Sequence, residues 1–153
     1  MATKILDTKI DLTAYNRMIG KVTAAMVKTD DQMDLAVKKA AILIHGAAVE
    51  KIQKAKGTGR TYKRRSVTHQ ASSPGNPPRT DTGRLVSSIR FAFPGKRQAE
   101  VGSLANVAKY GNMLEEGTEN MAARPWLEPT LRENADGISN LITAAIKHGE
   151  LAS

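Results

Sequence analysis

The stretch TDDQMDLAVKKAAILIHGAAVEKIQK, residues 29–54, decides the fold. Within it Val37, Ala41, Ile44, Ala48 and Ile52 recur at intervals of 4, 3, 4 and 4, the spacing that collects side chains on one face of an α-helix. Thr29 or Asp30 can cap its start, and Lys38, Lys39, Glu50 and Lys51 fall on other faces. The spacing predicts one long helix reaching about Lys54, ended by Gly57 and Gly59.

Upstream, Thr13 can cap a shorter amphipathic helix within Asp11–Lys28, with Met18, Val22, Ala25 and Met26 at helical spacing. Downstream, residues 57–80 hold Pro74, Pro77 and Pro78 among Ser, Thr and Gly, and bury too little to order themselves, which predicts a long flexible loop. Order resumes at Thr80-Asp81-Thr82-Gly83, a cap leading into a short helix with Leu85, Val86 and Ile89 and then a strand. Ser88–Phe93 alternates Ile89, Phe91 and Phe93 against Arg90 and Ala92, and a turn at Pro94-Gly95-Lys96 returns a second strand through Ala99, Val101 and Ser103.

Ala105–Glu116 reads as a helix with Val107, Tyr110, Met113 and Leu114 inward, closed by Gly117 in the left-handed conformation. Arg124-Pro125-Trp126 opens a last helix, whose stripe of Leu127, Leu131, Ile138, Leu141, Ile142 and Ala145 reaches about His148. Pro129 is tolerated there because it lies in the first turn. Helices, then a hairpin, then helices indicate an α+β fold: a long helix and a C-terminal helix on a small antiparallel sheet. One domain spans residues 1–153, with an N-terminal segment over 1–28, the basic loop over 57–80 and the hairpin and helices over 81–148.

A length of 153 residues suits one core, and an aromatic share of only 4% leaves aliphatic and alanine packing to build it. With no cysteine, disulfides and thiolate metal sites are excluded. Met1–Lys9 lacks the apolar run of a secretory signal, and Ala40–Val49 is about half the length that spans a bilayer, so a soluble protein without a membrane partner is expected. The net charge of +8 is local: Lys51–Thr80 holds eight Lys or Arg residues and no Asp or Glu, and the other 15 basic residues balance the 15 acidic ones.

Enzymatic chemistry finds no support. His45, His69 and His148 have no carboxylate at metal-ligand spacing, and the neighbours Glu115 and Glu116 point apart on a helix. Gly57-Thr58-Gly59-Arg60 lacks the Gly-Lys-Ser/Thr ending of a phosphate loop and reads as linker. No catalytic residue, metal or cofactor is expected.

The second half carries an ordered set: Pro77-Pro78-Arg79, Asp81-Thr82-Gly83-x-Leu85-x-x-Ser88-Ile89, Val101-Gly102, Tyr110, Leu114-Glu115-x-Gly117-Thr118 and Ala123-Arg124-Pro125-Trp126-Leu127. In this order it resembles the neck family of lambda-like long-tailed bacteriophages, the head-tail joining, tail-completion or minor tail-component proteins. The likeness covers about residues 74–135. It implies a non-enzymatic virion protein of the neck, assembled in the host cytoplasm as a ring subunit, with a hexamer as the expected form. Its implied partners are the head-closing protein and the tail terminator or tail tube.

These residues also have physical readings. Gly83 and Gly117 suit backbone geometry, Trp126 suits a core anchor or a pocket on an adjacent subunit, and Arg124 suits pairing with Glu115, Glu116 or Glu119 or a subunit contact. In the basic segment Lys51, Lys54, Lys56, Arg60, Lys63, Arg64 and Arg65, with Tyr62, suit either docking onto acidic surfaces of partners or nonspecific contact with genomic DNA. The rival reading is a small basic protein that binds nucleic acid nonspecifically.

Overall fold

The computed structural model describes residues 30–108 and 110–151. The helix expected within Asp11–Lys28 lies outside them. Helix α1, Asp30–Lys54, forms as its spacing predicts, and Val37, Ala41, Ile44, Ala48 and Ile52 are buried together with Met33, Ala36 and Ala40. Asp30 and Asp31 at its start and Lys51 and Lys54 at its end complement the helix dipole. The small residues let α1 lie close along α5, Ala135–Leu151, which turns Ile138, Ile142 and Ala145 inward. Among the described residues no helix is long and apolar enough to cross a membrane.

The segment 57–80 departs from the expected featureless loop. Strands β1, Thr61–Arg64, and β2, Val67–Gln70, pair antiparallel, with Tyr62 opposite His69. Backbone hydrogen bonds rather than apolar burial make this hairpin, and they continue past it: Gly59 N–H donates to Ala71 O at 2.8 Å, and Ala71 N–H to Arg60 O at 3.0 Å. Hydrophobic periodicity is blind to such a hairpin, since every residue of β1 is exposed. Gly57 and Gly59 are close-approach positions, not linker: a Cβ on Gly59 would lie 2.6 Å from Ser72 O, and one on Gly57 2.8 Å from Gln70 O.

Helix α2, Arg84–Ser88, follows Gly83 in the left-handed conformation (φ 75°) and runs directly into β3, Ile89–Ala92. Strand β4, Glu100–Ser103, pairs antiparallel with β3, setting Phe91 against Val101. Ile89 and Val101 are fully buried. Phe91 and Phe93, expected on the same buried face, stay 38% and 39% exposed, because the strand runs out along the flank of α1: Phe91 meets His45 edge-on, and Phe93 lies beside the Lys38 ammonium.

The β3–β4 turn is tied to the start of α1. Lys96 pairs with Asp30 and Asp31, the Arg97 guanidinium reaches Asp30 at 3.1 Å, and the Arg97 backbone N–H donates to Asp34 at 2.8 Å. The hydrogen bond from Lys96 chiefly holds Asp30 below the usual carboxylate range; for Asp34 the bond from Lys38 comes first, then that from Arg97. Both values are depressed on folding, so their contribution is complete above about pH 4 and is lost as pH falls through the folded values. Urea unfolding at pH 6 and pH 3 is expected to show a smaller acid loss for Asp34→Asn than for wild type; an equal loss would contradict the assignment.

Helix α3, Tyr110–Glu116, is shorter than the expected Ala105–Glu116, and its inward residues differ. Tyr110 and Met113 are 40% and 50% exposed, whereas Gly111 is buried. The helix crosses β4 so closely that a Cβ on Gly111 would fall 2.2 Å from Ser103 Oγ, so the inward face is formed by Gly111 together with Leu114, which packs against the core as expected. Gly117 ends α3 with φ 78°, as expected. The last helix is two helices, α4, Leu127–Glu133, and α5, divided at Asn134, whose side chain donates to Thr130 O at 2.8 Å. Its apolar stripe survives the break.

Candidate functional site

Residues far apart in sequence meet around a cavity of about 490 Å³. The hairpin contributes Tyr62, Arg64 and His69, the chain after it Arg79, Asp81 and Arg84, helix α3 Tyr110, and the approach to α4 Arg124. Strand alternation explains the first group: Tyr62 and Arg64 share one face of β1, which sends Lys63 to the other. The basic segment is therefore split. Tyr62 and Arg64 line the cavity; Lys56, Arg60, Lys63 and Arg65 are exposed on the surface; Lys54 pairs with Glu50, and Lys51 with Glu133 at 2.6 Å.

Asp81 organises one wall. Arg64 approaches its Oδ1 at 3.3 Å, the Tyr62 hydroxyl donates to Oδ2 at 3.5 Å, and His69 Nδ1 stands 3.7 Å from Oδ1. Burial and then the Asp81 charge raise the Tyr62 phenol above its ordinary value, and burial raises that of Tyr110. The closeness of Asp81 to His69 had no signal in the sequence, where they stand 12 positions apart; it comes from the path of the chain between β2 and α2.

Ser72, 1% exposed, also lines the cavity, and its Oγ has no hydrogen-bond partner. It therefore does not bond His69, and Ser72, His69 and Asp81 form no proton relay. Among the described residues no three His, Cys, Asp or Glu side chains gather where a metal would be held.

Arg124 makes none of the expected pairs with Glu115, Glu116 or Glu119. Its Nε donates to Ser72 O at 3.1 Å and its Nη1 to Ala122 O, so it joins the cavity wall to the loop before α4. Glu115 instead accepts three backbone N–H groups, those of Trp126 (2.8 Å), Leu127 (2.9 Å) and Glu128 (2.8 Å). The open start of α4 outcompetes a guanidinium because its donors are fixed in place and otherwise unpaired.

The residues that carry the phage-neck resemblance thus divide in two. Thr82, Gly83, Leu85, Tyr110 and Arg124 border the cavity. Ile89, Glu115, Gly117, Pro125 and Trp126 belong to the frame that holds it, while Thr118 is exposed and forms a bridge to Met121. No protein-family model matches the chain, and neither a curated protein nor a solved structure does.

Proposed function

We propose that this chain is a non-enzymatic structural subunit of a bacteriophage neck, which joins or completes the head-tail connection by assembling into a ring against neighbouring neck and tail proteins. The proposal rests on the resemblance carried between Pro77 and Leu127, and one structural observation supports it: α1 leaves two large aliphatic side chains exposed away from its core face. Opposite its core face, Leu35 and Ile42 stand seven positions apart, 45% and 53% exposed. Covering them would be favourable, since full burial of an isoleucine contributes about 1.5–3 kcal/mol.

A second reading, nonspecific nucleic-acid binding, draws on the exposed Lys56, Arg60, Lys63 and Arg65. Light scattering across a concentration series separates the two. The wild-type protein is expected to associate reversibly or form rings, and Ile42→Arg to shift the mass toward monomer at equal concentration without lowering the melting temperature. Duplex binding is expected to be weak, with the genome as a passing contact only. A protein monomeric throughout, binding duplex tightly at ~50 mM salt and losing it steeply by ~200 mM, would overturn the assembly reading.

A further inference from the structure

We infer that the cavity is a binding site for a carboxylate carried on a short, partly apolar peptide, either an Asp or Glu side chain or a chain terminus of a partner protein. The cavity supports this independently of the assembly reading. Four arginines border it, Arg64, Arg79, Arg84 and Arg124, against a single acidic residue, Asp81. Guanidinium keeps its charge at any physiological pH, and its planar fork matches an oxyanion in two-point geometry.

Three of these groups are already oriented: Arg64 on Asp81, Arg79 on Gln70 O at 3.1 Å, and Arg124 on Ser72 O. The Arg84 side chain has no hydrogen bond or ion pair among the described residues, which leaves its fork for a ligand. An independent observation points to the same place. The Ser72 hydroxyl, on a residue that lines the cavity, is buried without a partner, a condition that native interiors avoid and that a ligand oxygen reaching it would relieve.

The walls favour a carboxylate on a peptide over a phosphate. Ile52, Pro78, Leu85 and Leu114 give the cavity an apolar side with nothing to offer a sugar-phosphate backbone. A volume of about 490 Å³ admits a side chain or a chain end, whereas a duplex presents its phosphates on a broad convex surface.

The test is fluorescence anisotropy of the full chain with an N-terminally labelled Gly-Leu-Asp-Glu-Leu peptide. Its companions are an amidated form, an Asn-Gln form with a free terminus, and a form with both changes. Binding by the first peptide and none by the last is expected; whichever intermediate form retains affinity identifies side chain or terminus as the source. Arg84→Gln is expected to weaken binding about tenfold, the loss of one charge-assisted contact. Lys39→Gln, which removes the same charge from the exposed side of α1, is expected to leave binding unchanged. Ser72→Ala is expected to weaken binding while the melting temperature holds or rises, opposite to the joint fall that a structural hydroxyl would give. The proposal is overturned by equal losses in Arg84→Gln and Lys39→Gln, or by equal binding of the fully neutral peptide. Displacement by inorganic phosphate or duplex DNA ahead of the acidic peptides, or no peptide binding at millimolar concentration, would overturn it as well.

Discussion

Replacing Trp126 with alanine is expected to remove about 3–5 kcal/mol of stability, the range for deleting a large aromatic from a packed interior. Trp126 is fully buried, its indole N–H donates to Gly111 O at 3.3 Å, and its own carbonyl accepts from Thr130 Oγ1. The side chain therefore wedges α3 against α4 and closes the frame behind the cavity. In a domain of this size each kcal/mol shifts the melting temperature by about 2–4 °C, so the variant should melt on the order of 10 °C lower or fail to fold. Trp126→Phe keeps most of the apolar volume and loses only the indole bond to Gly111 O, which stays in the hydrogen-bond ladder of α3, so a loss of about 1 kcal/mol is expected. As Trp126 is the only tryptophan in the chain, wild-type emission should be that of a buried indole and shift red on unfolding. Urea unfolding followed by circular dichroism measures both variants, and a loss under about 1 kcal/mol for Trp126→Ala would contradict this packing.

The second large effect is expected at Glu115. Trp126, the residue that opens α4, has no side-chain oxygen to cap the helix, and Glu115 supplies the acceptor from α3 through three charge-assisted bonds. Glu115→Ala leaves these donors without a partner in a half-buried setting, for an expected loss of about 2–3 kcal/mol. Glu115→Gln retains one oxygen acceptor and should lose roughly half as much. Amide exchange at Trp126, Leu127 and Glu128 should accelerate in the alanine variant before the rest of the fold opens. Unchanged exchange at those amides would mean that water or another group caps the helix.

Several elements were legible because their cause is local. The period of Val37 to Ile52 needs no partner to be recognised, and a left-handed position after α3 favours glycine wherever Gly117 lies. The turn at Pro94-Gly95-Lys96 with its flanking alternation placed β3 and β4 within a residue or two. Where the expectations failed, the deciding contact came from elsewhere in the chain. Tyr110 and Met113 lost the inward face of α3 to Gly111 and Leu114 because β4 passes too near Gly111 for any side chain there, and Arg124 was drawn to Ser72 O rather than to a glutamate.

The α+β class, the long helix, the second hairpin, the position of the C-terminal apolar stripe and the confinement of excess charge to one segment could all be read from the order of residues. All of these follow from the periodicity, turn chemistry and charge of neighbouring residues. It took the folded chain to establish that the basic segment forms a hairpin whose alternation divides its cations between a cavity and the surface. The folded chain likewise brings Ser72, Asp81, Arg84 and Arg124 to that cavity and makes Glu115 a cap. The physical reason is that polar side chains are satisfied by whichever donors and acceptors the packed backbone brings near, and sequence order does not encode that distance.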